Sequence, residues 1–574
     1  MSALPDEVRR PELCVKDLQF SDGTTIAFQP GEIVVLVGPN NVGKSVALKN
    51  IDEKVAALRS PGIVVEDVTL AKHGDAGLVI RWLDATSRKT ANHASSPTYH
   101  RMGARVNHAQ AKELWSRADI GLGALRRFFV CHLTTEARLA AANPPKSVDL
   151  TTQPFTHPIH YLQANDSIEE RISGYFRKAF GQHLIVHRNA GNNVPLYCGE
   201  KPSFNPHEDR VSVGYLRRLE ALPTLESQGD GMRAFVGVLL HALVLDHAVL
   251  LIDEPEAFLH PPQARILGQM LVREFARDRQ LFLATHSSDL LKGLLDVKST
   301  RVRIIRLRRD GSVNPVTQLD NDGIRSVWAD PILRSSNVLD GLFHSKVVVC
   351  EGDADCRFYA ALRDTLCEDK ASPATRHIMF THCGGKGRIP VVVAALKTLD
   401  VPVAVIADFD LLNNKRNLQA VWKSLEGEWG LIEADWQQLF QAISTKKPDF
   451  DKANLQQEID SILASVKAPY LPKEAAVQIR DLLRRSSAWA HAKMAGTAFV
   501  PSGDPTTACN RLLATLRLKG LFLVEVGELE GFARTIAGHG PKWVNAALEK
   551  DLLNDPELEP ARTFVRQLLD HPGT

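Results

Sequence analysis

Six short runs of consecutive apolar residues punctuate the chain, and each stops on a polar, charged or glycine position. They are IVVLV before Gly38, AVLLI before Asp253, LFLA before Thr285, VVVC before Glu351, VAVIA before Asp408 and LFLV before Glu525. Unbroken apolar runs of this length predict buried strands, and helix-compatible stretches after several of them point to an α/β fold with chemistry at the strands' C-terminal ends. Between 61 and 214, and again between about 411 and 515, the pattern turns mostly helical. No heptad repeat is sustained in the first interval, which excludes a long coiled-coil arm and favours a compact inserted segment.

The first run opens onto Gly38-Pro39-Asn40-Asn41-Val42-Gly43-Lys44-Ser45. This is GxxxxGK[ST] with a strand before it and a helix after it. Its glycines let backbone N–H groups curl around phosphate oxygens, Lys44 would meet the β- and γ-phosphates, and the Ser45 hydroxyl would ligate Mg²⁺. Asn40 and Asn41 lie in the same loop and count among its nucleotide-binding residues. HAVLLIDEPE (247–256) supplies Asp253 for the metal side and Glu254 to orient or deprotonate the attacking water. QLFLATHSS (280–288) places His286 where it could sense a γ-phosphate.

These residues resemble the ATP-binding-cassette ATPases, especially the branch of DNA-repair and SMC-like ATPases. The resemblance implies an ATPase domain in two blocks, 1–60 and 215–335, with 61–214 inserted as an oligomerisation segment. It also implies a signature loop ahead of the acidic strand, here LESQGDGMRAF (225–235), with Ser227, Gly229 and Gly231 contacting the ATP of a partner subunit. That stretch differs from LSGGQ and lacks its glutamine. Gln163 is the candidate for the family's glutamine loop, and the adenine-stacking aromatic has no evident position.

The strand–helix pattern restarts after residue 340. KVVVCEGDADCRFYAAL presents Glu351 and Asp355, FTHCGGKGRI (380–389) makes a glycine turn, and VPVAVIADFD (401–410) ends on Asp408 and Asp410. Crowded carboxylates repel one another unless a cation sits among them, and an all-oxygen set selects Mg²⁺ or Mn²⁺. Two such ions would clamp a phosphodiester for in-line attack. GLFLVEVGELEGF (520–532) adds Glu525, Glu528 and Glu530, and Lys542 in GHGPKWV could stabilise the developing charge. A glutamate strand followed by a DxD strand resembles the TOPRIM domain of topoisomerases, primases and some nucleases, expected here over 340–574.

An ABC-type ATPase followed by a TOPRIM domain resembles the OLD (overcoming lysogenization defect) family over nearly the whole chain. The resemblance implies Mg²⁺-dependent DNA nicking or cleavage in bacterial defence against phage, in company with the Gabija nuclease subunit and retron-associated nucleases. It thereby implies ATP and Mg²⁺ (or Mn²⁺) as cofactors, and a helicase-like subunit or a reverse transcriptase with its nucleic acid as possible partners. The family's positions carry over to Glu351, Asp355, Asp408 and Asp410, and to Glu528 or Glu530 with Lys542. Catalytic roles fall on Glu254, Glu351, Asp408 and Lys542. No tyrosine is suitably placed as a nucleophile, so hydrolysis by water is preferred.

Composition narrows this little. Of 574 residues 44% are apolar, and Lys+Arg (69) nearly cancels Asp+Glu (67), so any nucleic-acid footprint must be local. The stretches 301–311 and 480–493 are the basic segments to consider for phosphate contact. Eight scattered cysteines without a CxxC pair, a polar N-terminus and no run of about eighteen apolar residues suggest a cytoplasmic protein without membrane contact. One phosphate loop and one signature loop per chain call for a homodimer or tetramer. DNA is the favoured substrate, and an RNA-cleaving TOPRIM enzyme or an ATP-driven sensor without cleavage are the alternatives.

Overall fold

A computed structural model describes residues 9–90, 96–331, 333, 337–369, 377–446, 452–466, 470–485 and 487–574. The chain divides into two compact units, Met1–Arg325 and Ser326–Thr574.

The main sheet of the first unit has six strands. Their order is Val316–Gln318, Val302–Leu307, Ile33–Val37, Gln280–Ala284, Val249–Asp253 and Val130–Leu133, all paired in parallel except the first, an antiparallel edge. Every residue of Ile33–Val37 and Gln280–Ala284 is buried, which is why these strands read as unbroken apolar runs rather than alternating ones. The register sets Leu36 beside Ala284 and Ala284 beside Asp253. The phosphate loop, Thr285–His286 and Asp253–Glu254 therefore leave the sheet on one edge.

A second, antiparallel sheet joins Thr25–Ala27, Glu12–Phe20 and Val65–His73. Helix Lys44–Ala56 buries Ala47, Leu48, Ile51 and Val55 in a core that also takes in Leu18 and Phe20 from this sheet and Val34 and Leu36 from the main one. Here the structure departs from the two-block division. Val65–His73 and Val130–Leu133 come from the interval 61–214, yet they complete the two sheets. Neither carries a sustained apolar run, because Val65–His73 is exposed along much of its length and Val130–Leu133 is an edge strand. The interval also holds a small antiparallel sheet, Arg88–Thr90, Thr98–Arg101 and Ala104–Asn107, among its helices.

The second unit is built on four parallel strands in the order Ile378–His382, Lys346–Cys350, Val403–Asp408 and Leu521–Val524. On one face, Phe358 and Tyr359 of helix Asp353–Asp369 pack with Phe532, Trp543 and Phe564. Between the third and fourth strands lies the helical insertion, including helices Lys415–Ser424, Glu433–Thr445, Ala488–Ala495 and Asp504–Leu518. Residues 447–451, 467–469 and 486 of that insertion lie outside the described residues. Among the described residues, the eight cysteines form no disulfide. No helix among the described residues is long and apolar enough to cross a membrane.

Gly496 fastens the insertion to the sheet. It has φ 60° and presses against the Glu525 carbonyl, while the Thr497 N–H donates to the same carbonyl at 2.8 Å. A Cβ at 496 would overlap that carbonyl. Gly496→Ala should therefore cost roughly 2–4 kcal/mol, combining left-handed strain with an overpacked contact. Gly503, with φ 95° and no heavy atom within 4 Å of its Cβ position, carries the strain alone and should lose less. Thermal unfolding of the two variants measures the difference, and equal losses would contradict the contact at Gly496.

Candidate functional site

Each unit carries its candidate chemistry where parallel strands end. In the first, Gly38 adopts φ 145° against the Leu307 carbonyl, an approach that leaves no room for a Cβ. Asn40 and Asn41 are exposed on the loop. Helix Lys44–Ala56 starts at Gly43 without a side-chain cap and without an acidic residue in its first turn. Its first N–H groups are thus left for an anion. The buried Lys44 Nζ donates to the carbonyls of Gly38 and Pro39, both at 2.8 Å. Burial lowers its pKa to about 8, against the pull of Glu254, Asp253 and Glu256. Ser45 Oγ donates to Asp253 Oδ1 at 2.9 Å, and burial raises the Asp253 carboxyl despite that bond.

Glu254 sits at φ 45°, a left-handed conformation that costs a non-glycine residue about 1–3 kcal/mol. Its N–H donates to the Ala284 carbonyl at 2.8 Å. The fully buried Arg138 donates through Nη1 to the carbonyls of Asp253 at 3.0 Å and Glu254 at 2.6 Å. His286 Nε2 lies 3.2 Å from Glu254 Oε1. Burial, with Lys44 nearby, lowers the ring's pKa to about 4. Glu256 Oε1 accepts from Thr285 Oγ1 at 2.7 Å and from the His286 N–H at 2.9 Å. A cavity of about 460 Å³ is lined by Glu254, Glu256, His286 and Ser287. A phosphate cradle, a hydroxyl–carboxylate pair for a cation and a fixed carboxylate at the edge of a cavity fit a nucleotide with its metal.

Ser227 closes the 3₁₀ turn Leu225–Ser227, and Gly229 and Gly231 begin helix Asp230–Leu239. Ser227 and Gly229 are exposed, and among the described residues no hydrogen bond joins this loop to the phosphate loop. Gln163 is not at the phosphate loop in its contacts either: it is buried and donates to the Arg188 carbonyl at 3.2 Å. Sequence reasoning passed over Arg138, Thr285 and Glu256. The last two adjoin the motifs and could have been found in DEPE and ATHSS. Arg138 lies in helix Thr135–Ala140 with no motif around it.

In the second unit, Glu351 follows strand Lys346–Cys350 and Asp408 ends its hydrogen-bonded neighbour Val403–Asp408. The Asp408 N–H donates to Glu351 Oε1 at 3.0 Å. Asp355, in the first turn of helix Asp353–Asp369, accepts the Gly352 N–H at 2.8 Å. Asp410 follows in the turn Phe409–Asn413. Glu528 and Glu530 come from the segment after Leu521–Val524, and their ligand atoms gather with one of His539 within 4.8 Å of one another.

Two lysines face this charge. Lys386, from the glycine turn, pairs with Asp410 and lies 3.8 Å from Glu351 Oε1. Lys493, from the helical insertion, lies 3.3 Å from Asp408 Oδ2, 3.8 Å from Asp410 Oδ2 and 3.6 Å from Glu528 Oε2. Even so, burial and then Asp408 push Glu351 up to about 7, and burial, Asp408 and Glu530 push Asp355 up to about 6. Burial raises Asp408 as well, and burial with Glu530 raises Glu528. Burial works to lower the Lys493 ammonium, but Asp408, Asp410 and Glu528 together raise it. Oxygen donors under this pressure toward protonation fit a hard divalent cation.

Lys542 does not reach the cluster. It is exposed on the first turn of helix Pro541–Leu548, and among the described residues no ion pair links it to the carboxylates. The cations there are Lys386 and Lys493. Glu525 also turns away, pairing with Arg517. Of the basic stretch 301–311, Arg301 donates to the carbonyls of Gly31, Phe275 and Ala276, and Arg303 pairs with Glu32 at 3.0 Å. Both hold the first unit together. In the stretch 480–493, the side chains of Arg484 and Arg485 lie outside the described residues.

Residues 141–292 match the family profile described as AAA domain, putative AbiEii toxin, Type IV TA system. Residues 342–410 match that of the overcoming lysogenization defect protein-like TOPRIM domain. The OLD nuclease of Thermus scotoductus is 28% identical over 171 residues, 28% of this chain and 31% of that protein. The Old nuclease of Escherichia phage P2 is 22% identical over 174 residues, 29% of this chain and 28% of that protein. The matched region thus spans less than a third of either nuclease. An uncharacterized protein of Methanocaldococcus jannaschii is 38% identical over 87 residues, 14% of this chain and 76% of that protein. Among solved structures, the Smc head bound to the C-terminal winged-helix domain of ScpA aligns over 54% of this chain and 98% of that chain, at 13% identity and a TM-score of 0.32, too low to define a shared fold by itself.

The carboxylate cluster makes a direct prediction. Mn²⁺ should raise the unfolding temperature of the wild type but not of Asp408→Ala, because the ion binds only the folded cluster. Lys493→Met should tighten Mn²⁺ binding in calorimetry, since an ammonium no longer competes for three carboxylates. Unchanged or weaker binding in Lys493→Met would show that the lysine does not neutralise the cation's ligands.

Proposed function

The chain belongs to the overcoming-lysogenization-defect family of ATPase–TOPRIM proteins, and on that premise we propose that it is an ATP-hydrolysing, Mg²⁺-dependent endonuclease that nicks or cleaves DNA. The observation that carries this reading is the meeting of Glu351, Asp355, Asp408 and Asp410 at the ends of adjacent parallel strands, tied by the Asp408 N–H to Glu351. A surface that merely bound nucleic acid would gain nothing from repelling phosphate.

In the proposed ATPase, Lys44 and the N–H groups of the phosphate loop bind the phosphates, and Ser45 and Asp253 hold the accompanying ion. Glu254, with His286 Nε2 3.2 Å from its carboxylate and Arg138 behind its backbone, orients water and accepts its proton. In the nuclease, Glu351, Asp355, Asp408 and Asp410 would hold divalent metal, joined by Glu528 or Glu530. Bound there, the metal supplies polarisation of the phosphodiester and lowers the pKa of the attacking water. Lys386 and Lys493 are placed to draw the scissile phosphate into an otherwise anionic corner. The exposure of Ser227 and Gly229, unbonded to their own phosphate loop, supports a site completed by a second copy, hence a dimer or tetramer. ATP would then gate access to the nuclease metals. The family resemblance supports a place in anti-phage defence.

Plasmid, linear DNA and RNA, each offered with Mg²⁺ and with or without ATP, test the proposal. Asp408→Ala and Glu351→Ala should abolish cleavage while leaving ATP hydrolysis intact. Lys44→Ala should abolish hydrolysis, and Glu254→Gln should bind ATP yet turn it over at least 10²-fold more slowly, the usual contribution of a positioned base. Full cleavage by both carboxylate variants would remove the TOPRIM corner as the chemical centre, and cleavage of RNA alone would correct the substrate.

A further inference from the structure

Lined by no residue of either site, a further cavity of about 550 Å³ lies in the first unit against the small sheet Arg88–Thr90, Thr98–Arg101, Ala104–Asn107. The register sets Arg88 opposite His100, and His100 opposite Arg105. Two guanidinium groups therefore flank an imidazole in one row across three strands, and all three side chains line the cavity. Positive charges gathered on one sheet face destabilise it unless something neutralises them.

The opposite face shows what neutralisation looks like. There Lys89 stands opposite Tyr99, and Asp84 takes Lys89 Nζ at 2.5 Å and the Tyr99 hydroxyl at 2.7 Å. Arg88 and Arg105 are exposed and have no ion pair among the described residues, and the cavity lining contains neither Asp nor Glu. Arg101, also at the cavity, is already committed to Asp246 at 2.5 Å and to the face of Trp82.

The remaining wall is of a different kind. Phe155 is half-buried and set edge-on to Tyr161, with ring centroids 4.7 Å apart, so its ring is held in place. Gln153 and Thr156 beside it offer hydrogen-bonding groups. Paired arginines suit a phosphate, and a fixed aromatic ring suits a flat base. The volume lies in the range of small-molecule sites, about 300–1,000 Å³.

We infer that this cavity binds a nucleotide-sized, phosphate-bearing ligand, with the phosphate between Arg88 and Arg105 and the base against Phe155. The same chemistry is offered by a free nucleotide and by the 5′-phosphorylated end of a nucleic-acid strand. No lining residue belongs to the phosphate loop, so this is a second site, separate from the ATPase.

Calorimetry on the full chain carrying Lys44→Ala, which disables the phosphate loop, tests this with pyrophosphate, AMP and 5′-phosphorylated trithymidylate. AMP and pyrophosphate should bind, and adding Arg88→Ala with Arg105→Ala should weaken both at least tenfold. Phe155→Ala should weaken AMP but leave pyrophosphate unchanged. AMP binding tighter than the oligonucleotide identifies a free nucleotide, and a phosphate-dependent preference for the oligonucleotide identifies a strand end; either supports the site. Equal affinities with and without the two arginines would overturn it, as would the absence of binding by all three probes at millimolar concentration. Because both arginines are exposed, the double variant should melt no lower than its parent. Should it melt lower, Arg105→Gln replaces it and must weaken pyrophosphate.

Discussion

Mutual repulsion among half-buried carboxylates is the constraint around which the second unit is arranged. Six of them, Glu351, Asp355, Asp408, Asp410, Glu528 and Glu530, converge from the ends of three strands and the helix after the first. Left alone, such a set would take up protons, and the upward pressure on Glu351 and Asp355 shows that tendency. The chain answers with Lys386 from one turn and Lys493 from the insertion. Bringing Lys493 this close requires helix Ala488–Ala495 to lie tight against the Glu525–Gly527 backbone, and the bare Cα of Gly496 permits that approach. The insertion is thus part of the site's electrostatics as well as a connection between strands.

The first unit solves the converse problem. A phosphate cradle gathers positive charge in Lys44 and in the uncapped N-terminus of its helix, and carbonyls of the loop itself hold the ammonium in place. The strained element is Glu254, whose φ of 45° must be enforced by its surroundings. Arg138 does much of this, clamping the backbone on both sides of the Asp253–Glu254 bond. Because Arg138 follows the edge strand Val130–Leu133, the interval 61–214 cannot be detached from the ATPase without releasing that clamp.

This explains which features could be read from the sequence. The phosphate loop, Asp253–Glu254, Glu351 and the DxD pair are local: a buried strand ends and its side chains follow within a few positions. Glu528 and Glu530 are nearly as local, each just beyond a strand. Arg138, Lys386 and Lys493 act from other elements, and no spacing announces a residue whose partner lies from 24 to 116 positions away. Lys542 shows the reverse error. Its proximity in sequence to Glu530 made it a plausible cation, but a helix start at Pro541 leaves it in solvent. Val65–His73 and Val130–Leu133 escaped because strands exposed on one side or at an edge lack the unbroken apolar run that marks a central parallel strand.

Three arrays of like charge stand on rigid strands or at their ends, and they differ in what the chain provides against them. The carboxylate corner has two lysines in contact with it, too few for six acids, and so retains capacity for metal. The phosphate loop satisfies its lysine with neutral carbonyls, which hold the ammonium without cancelling its charge, so an arriving phosphate still meets a cation. The row of Arg88, His100 and Arg105 has no acid of its own among the described residues, although Asp84, from helix Ala76–Thr86, neutralises the lysine one position along. A fold that places an acid for Lys89 and none for its neighbour distinguishes the two faces by charge. In a protein whose other two charged arrays fit ligands of opposite sign, the physical consequence is an anion-seeking surface built on the first unit.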